Sequence, residues 1–486
     1  MFPQLCPYRR LKVGLDSHKT SGYCDGNPCP HFSGDEATKL NAFFSKEKKT
    51  MESPAHRLPA RFRHLIGTTA ILTACVLTLA ACSAGNSVAS ETKADNGTQL
   101  TMWVRQANGP VAQSLVKRYN STHKNQVKLT TVPDAGFQTK IGAAAGSSGL
   151  PDILASDVVY SPNYVKQGLY QDLTSEVKAL PFYSSLSHAH TEAASLNGKI
   201  YGVPFVVDSS LIMYNKDLFA KAGLDPEQGP KSFEDIYNDA KAIRDKIGGD
   251  TYGFYFPGNC SGCDAYSMLP YLAAAGEPIF KDDGKKAQID TTSMKATLDL
   301  YKKLYDQGIV PASAKSDDGT NWTTLFNAGK IGILPIGNFN FGTAEKGNIN
   351  YGEAGLPAPD GSQTSGFIGG DVVGITKNST HKAQAFDFLA WVLGSDAQVN
   401  VLAKAGNLPS RVDLADNKYS SKNPAIVGAI KGEATGYTPS STAYGALVND
   451  ATGPWLKLLR DYIFNGDSNA ISTAQKSFQN GLDQAQ

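Results

Sequence analysis

From about residue 98 onward, apolar and polar positions follow two alternating registers. Leu100, Met102 and Val104 alternate with polar neighbours, the period-two pattern of a half-buried strand. Val111, Leu115 and Tyr119 then recur at four-residue spacing and predict an amphipathic helix. Val127 and Leu129 alternate as a second strand, and Phe137, Ile141 and Ala145 make a second helical stripe. Pro151-Asp152-Ile153-Leu154 reads as a short buried strand. This β-α-β-α-β rhythm predicts a sheet with helices on both faces.

The rhythm resumes as a second unit. Ser232 with Asp235 is a capping-box pattern opening a helix through Phe233, Ile236, Tyr237, Ala240 and Ile243. Met294, Leu298, Tyr301 and Tyr305 mark another helix, stopped by Gly308. Lys330 to Leu334 and Val372 to Ile375 read as strands, the latter followed by a helix through Phe386, Leu389 and Val392. From about Thr452 the chain reads as helical. No tandem repeat or long low-complexity run interrupts the pattern, and two α/β units fit 486 residues.

Composition narrows the function classes. With 46 Lys and Arg against 45 Asp and Glu, the formal charge is +1, so no basic excess exists to neutralise nucleic-acid phosphates. The 21 Phe, 21 Tyr and 4 Trp supply cores and exclude disorder as the overall state.

Leu65 to Leu79 is an apolar run preceded by Arg57, Arg61 and Arg63 and followed by Ala80, Ala81 and Cys82. That order is a secretory signal peptide, and the run is shorter than the roughly 20 residues of a membrane-spanning helix. Leu79-Ala80-Ala81-Cys82 resembles a bacterial lipobox, which implies that Cys82 carries a lipid and begins the mature protein. Met51 is the better start, so residues 1–50 are expected to be a mis-assigned or non-structural extension. Residues 51–81 are then the signal peptide, and 82–97 a flexible tether.

Of the seven cysteines, only Cys260 and Cys263 remain in the mature body after Cys82. A Cys-x-x-Cys is compatible with a small-loop disulfide, a redox pair or half a zinc site. Zinc would need two more ligands, and no second cysteine pair exists. A redox pair usually opens a helix after a strand, whereas Pro257, Gly258, Asn259 and Gly262 predict a loop, so a structural disulfide is expected. His188 and His190 look like a metal pair but lie in a polar helical stretch, and are expected to be solvated rather than metal ligands.

Several stretches occur in one order: Gly149-Leu150-Pro151-Asp152-Ile153, Gly168-Leu169-Tyr170-Gln171-Asp172-Leu173, Gly198-Lys199-Ile200-Tyr201-Gly202-Val203-Pro204, and Leu211-Ile212-Met213-Tyr214-Asn215-Lys216-Asp217-Leu218-Phe219. Leu269 to Gly276, Phe326 to Gly332, Gly369-Gly370-Asp371 and Gly406 to Ser410 complete the series. Together, behind a lipobox, they resemble the extracytoplasmic sugar-binding proteins of ABC importers, the group that includes maltose-binding protein. The resemblance covers residues 98–486.

It implies a two-lobe α/β fold of the periplasmic-binding-protein type II, with a hinge and an interlobe cleft. Lobe one would be 98–207 plus 371–415, and lobe two 208–370 plus 416–486. The implied function is that of a non-enzymatic, monomeric receptor without cofactor, anchored by lipid at the outer face of the cytoplasmic membrane. It would bind a carbohydrate, with an oligosaccharide favoured, and deliver it to permease subunits and their ATPase.

A neutral sugar needs carboxylates or amides for its hydroxyl edges and aromatic rings for its C–H faces. Asp208 sits where the resemblance places an acidic sugar ligand. Asp264 and Tyr266 precede Pro270 as an acidic-aromatic pair does in the relative, and Phe339 stands where the relative has a stacking Trp. Asp157 follows the predicted Pro-Asp-Ile strand at its carboxyl end, where open sheets bind ligands. Tyr160, Asn108, Trp322 and Trp455 are further candidates. Asp371 follows two glycines that permit close backbone approach.

A secreted glycosidase using paired carboxylates among Asp157, Asp208 and Asp264 is the competing reading, although no matched acid/base motif is present. A receptor for iron, polyamine or phosphate ranks last, since no adjacent Tyr pair lies near the cleft motifs. Mature protein is expected to incorporate labelled palmitate and to leave the membrane fraction in Cys82→Ala. Unlabelled protein, or a normal membrane yield of the variant, would remove the lipid anchor.

Overall fold

The computed structural model describes residues 23–24, 27–28, 94–432 and 436–485. The signal peptide, Cys82, most of the N-terminal extension and most of the tether lie outside the described residues. The chain divides into two units, Met1–Asn86 and Ser87–Gln486. In the first, Tyr23–Cys24 pairs antiparallel with Asn27–Pro28. Among the described residues, no helix is long and apolar enough to cross a membrane.

The second unit holds an eight-stranded sheet. Its strands are β1 (Gln99–Arg105), β2 (Gln126–Val132), β3 (Ile153–Asp157), β4 (Val203–Asn215), β5 (Tyr252–Phe254), β6 (Ile331–Gly337), β7 (Tyr351–Ala354) and β8 (Ile368–Ile375). The order is β2-β1-β3-β8-β4-β6-β5, with β7 also pairing with β4. β1 runs parallel to β2 and β3, as βαβ crossovers require, and β5 runs parallel to β6. β8 is antiparallel to both β3 and β4.

Two main cores flank this path. One, built around Leu100, Met102, Phe205, Val373, Phe388 and Leu389, serves β1, β3 and the helix Lys382–Leu393. The other, around Ile212, Phe254, Met268, Tyr301, Ile333 and Trp455, serves β5, β6 and the C-terminal helices. β4 and β8 contribute to both, so they are the strands on which the two halves meet. β4 is buried along almost its whole length, which explains its near-continuous apolar run rather than alternation.

The predicted helices are present with shifted ends. Helix α1 (Gly109–Asn120) buries Ala112, Leu115, Val116 and Tyr119. Helix α2 (Phe233–Ile247) is capped by Ser232, whose hydroxyl accepts from the Asp235 amide at 3.1 Å. Helix α3 (Ser261–Ala274) was expected as a loop at its start. Instead Cys260 is its N-cap, its sulfur accepting from the Cys263 amide, and the two cysteines form a disulfide.

Solvated histidines are found only in part. His188 is exposed and sits 3.3 Å from Glu192, but His190 is fully buried, its Nδ1 3.0 Å from the Ser187 hydroxyl. Burial pushes His190 down to about 4, so it is a neutral core residue. Among the described residues, no group of three or more His, Cys, Asp or Glu side chains could hold a metal.

The tether also ends earlier than expected. Buried Asn125 accepts from the amides of Asn96, Gly97 and Thr98 at 3.1, 3.1 and 3.0 Å and donates to the Ala94 carbonyl at 2.6 Å. Asn125→Ala is expected to cost about 1–3 kcal/mol in urea unfolding, because these partners lose a buried acceptor. The amides of 96–98 should lose protection from hydrogen exchange. Unchanged exchange there would show that the cap does not fix the chain's entry.

Candidate ligand-binding cleft

The acidic candidates gather where β1, β3, β4 and β8 end or cross. Asp157 and Asp371 stand directly opposite each other in the β3–β8 ladder. Two like charges so placed repel, and Arg105 at the carboxyl end of β1 answers both. Its Nε donates to Asp371 Oδ1 at 2.6 Å, and its Nη1 lies 3.3 Å from Asp157 Oδ2. Burial opposes the guanidinium charge, but Asp371 and Asp157 hold it firmly protonated. Burial raises the Asp157 carboxyl, with Arg105 pulling it back down.

Two residues back along β8 from Asp371, Gly369 faces Asp208 on β4. A Cβ at Gly369 would lie 2.5 Å from Asp208 Oδ1 and 3.0 Å from Tyr266, so only glycine leaves room for them. Tyr266 on α3 donates its hydroxyl to Asp208 Oδ1 at 2.6 Å. Its ring centroid lies 6.1 Å from Phe339, 6.4 Å from Trp322 and 5.2 Å from Phe367. Phe339, in the turn after β6, is 53% exposed, an open apolar face beside a carboxylate.

These groups line two cavities. The inner one, ≈ 230 Å³, is lined by Arg105, Asp157 and Asp208 together with Tyr266, Trp322 and Phe339. The outer one, ≈ 1260 Å³, shares Asp208 and Phe339, takes Asn108 from the turn after β1, and reaches Tyr351, Asn407 and Tyr419. Acceptors and aromatic rings in one cleft suit a ligand with hydroxyl edges and apolar faces.

Four candidates lie elsewhere. Asp264 is 0% exposed, and neither carboxylate oxygen has a hydrogen-bond partner. On a helix, positions two apart point about 200° from each other, so Asp264 cannot share the cleft with Tyr266. Burial and the nearby Asp317 push its carboxyl well above the usual range, which keeps it neutral inside the second core. Trp455 is fully buried in the helix Pro454–Leu459 and belongs to the same core. Asp371 is fully buried behind the cleft, consumed by Arg105. Tyr160 lies beside the cavity, its hydroxyl accepting from Asn449 at 3.2 Å. Trp322 does reach the wall, just before the short helix Thr324–Asn327.

Residues 104–399 match the family described as bacterial extracellular solute-binding protein. The chain belongs to that family. It is similar to the diacetylchitobiose-binding protein DasA of Streptomyces coelicolor, with 28% identity over 366 residues, 73% of this chain and 83% of that protein. It is also similar to a maltooligosaccharide ABC transporter solute-binding lipoprotein of Streptococcus pneumoniae, 23% identical across 77% of this chain and 88% of the relative. In fold it matches the sugar-binding protein MalE of Xanthomonas citri at a TM-score of 0.70, with 21% identity over 80% of this chain and 98% of that one. A cyclic α-maltosyl-1,6-maltose binding protein of Arthrobacter globiformis gives 0.68 at 24% identity, covering 80% and 99%. The two-lobe type II fold expected from sequence is therefore present.

Within this solute-binding fold, sequence reasoning missed Arg105, Phe367, Tyr444 and Asn449, all of which line the inner cavity. Arg105 had a usable signal, being the residue that ends the alternation of β1 at its carboxyl end. Tyr444 and Asn449 lie on a segment with no strong period, and Gly262 and Cys263 enter the wall only because α3 starts at the disulfide.

Burial pushes Asp208 up to about 6, with Asp157 and Asp371 adding to the rise while the Tyr266 hydroxyl and Arg105 oppose it. The folded state therefore binds this proton more tightly than the unfolded chain, whose value is near 3.8. The contribution of Asp208 to stability is fullest below about pH 4 and is lost as pH rises through about 6. Asp208→Asn removes that loss. It is expected to match wild type at pH 4 and to exceed it at pH 7–8 by about 3 kcal/mol in urea titrations. A difference that does not change with pH would mean Asp208 titrates as it does in the unfolded chain.

Proposed function

We propose that this protein is a lipid-anchored extracytoplasmic receptor that binds an oligosaccharide between its lobes and delivers it to the permease of an ABC importer. The observation that carries the reading is the meeting of Asp157 and Asp208 with Tyr266, Trp322 and Phe339 around one cavity. The carboxylates accept from sugar hydroxyls while the rings cover the apolar faces. Membership of the solute-binding family and the sugars named for its relatives support the same ligand class.

The lobes are taken as 98–207 plus 371–415 and 208–370 plus 416–486, with the first two of the three boundaries falling inside the crossing strands β4 and β8. A ligand touching Asp157 on one lobe and Phe339 on the other makes both contacts only when the cleft is shut, so it favours the closed form. The closed form then docks on permease subunits driven by their ATPase. In this role the protein acts as a monomer, does no chemistry and uses no cofactor, and Cys82 holds it at the outer face of the cytoplasmic membrane.

Calorimetry and thermal shift against a panel of mono- and oligosaccharides test the assignment. A member of the panel is expected to bind and to be recovered intact, whereas product sugars on chromatography would turn the reading into a glycosidase. Asp208→Ala and Phe339→Ala should each weaken the bound sugar by roughly 1–3 kcal/mol without unfolding the protein. Unchanged affinity in both would move the site elsewhere.

A further inference from the structure

The charges of the inner cavity do not balance. Its charged wall residues are Arg105, Asp157 and Asp208, and Asp371 stands behind Arg105 at 2.6 Å. Three carboxylates thus share one guanidinium. Asp371 takes the Nε bond, and Asp157 sits at 3.3 Å from Nη1. Among the described residues, Asp208 has the neutral hydroxyl of Tyr266 on Oδ1 and no cation in an ion pair. The lysines that line the cleft, Lys216, Lys346, Lys404 and Lys422, all line the outer cavity, and Lys216 is paired there with Glu227.

When the lobes shut on a ligand, water leaves and an uncompensated carboxylate becomes costly. A proton or a cation on the ligand must answer it. A neutral hydroxyl offers one donor, whereas an ammonium offers three and a full charge. The rings also suit a cation, because Tyr266, Trp322 and Phe339 line the same cavity as the carboxylates. We propose that the sugar unit seated in the inner cavity carries a protonated amino group, so that the preferred ligand is an amino-sugar oligosaccharide. The outer cavity, with its lysines, receives the rest of the chain. This rests on the carbohydrate reading above and adds a charge to it.

The test is calorimetry at pH 7 on the mature protein with matched sugars. The β-1,4 set is the glucosamine disaccharide, its N,N′-diacetyl form and cellobiose. An α-1,4 set pairs maltose with its amino counterpart. The free-amine member of one set is expected to bind about tenfold or more tightly than its neutral partners. Asp208→Asn and Asp157→Asn, checked for folding by circular dichroism, should each shrink that ratio to about threefold or less. Neutral sugars binding as well as the amine or better, with proton uptake read from buffers of different ionisation heat, would overturn the amino-sugar proposal. The carbohydrate reading would survive that result. A ratio unchanged in both variants would also overturn the proposal, since the preference would then arise away from these carboxylates. Binding by none of the sugars would overturn both readings.

Discussion

The register of β8 against β3 sets Asp371 directly opposite Asp157, and the cleft is organised by what that repulsion demands. A lone pair of facing carboxylates, one of them fully buried, would repel without a cation between them. Arg105 makes it tolerable by closing the carboxyl end of β1 over both. One guanidinium thereby ties the first strand, the third strand and the crossing strand β8 into a single floor. Removing that cation would leave buried charges without a partner, a larger loss than the ion pair itself contributes.

The rest of the site follows from this floor. β8 continues past Asp371 through Gly370 and Gly369, and the missing side chain at Gly369 admits Asp208 and Tyr266 above it. Asp208 is left on β4 with a hydroxyl rather than a cation for company, while Phe339 and Trp322 line the same cavity. Acceptors and rings thus share one cavity. β4 and β8 both run through the site, and both contribute to the two main cores.

Much of the fold could be read from the chain because it depends on local period. The alternation at Leu100, Met102 and Val104 gave β1, the stripe of Val111, Leu115 and Tyr119 gave α1, and Ser232 caps its helix as its spacing implied. The family-like stretches pointed to Asp208, Tyr266 and Phe339, the strand end pointed to Asp157, and all four line one cavity with Trp322. What failed depended on rotation and partners, which period does not encode. Asp264 and Tyr266 look like one motif in sequence, yet α3 begins at Ser261 and turns them to different sides. Trp455 sits on a short helix buried on nearly every face, so its ring is core. Arg105 was passed over because its importance lies in two acids far along the chain, at Asp157 and Asp371.

The account stands most directly on where a bound sugar lies. A crystal structure with the tightest-binding oligosaccharide is expected to place hydroxyl or amino groups within hydrogen-bond reach of Asp157 and Asp208. Its ring faces should rest against Phe339, Trp322 or Tyr266, with the lobes shut around it and Asp264 and Trp455 untouched. A sugar bound outside this cleft, or one contacting a single lobe, would contradict it.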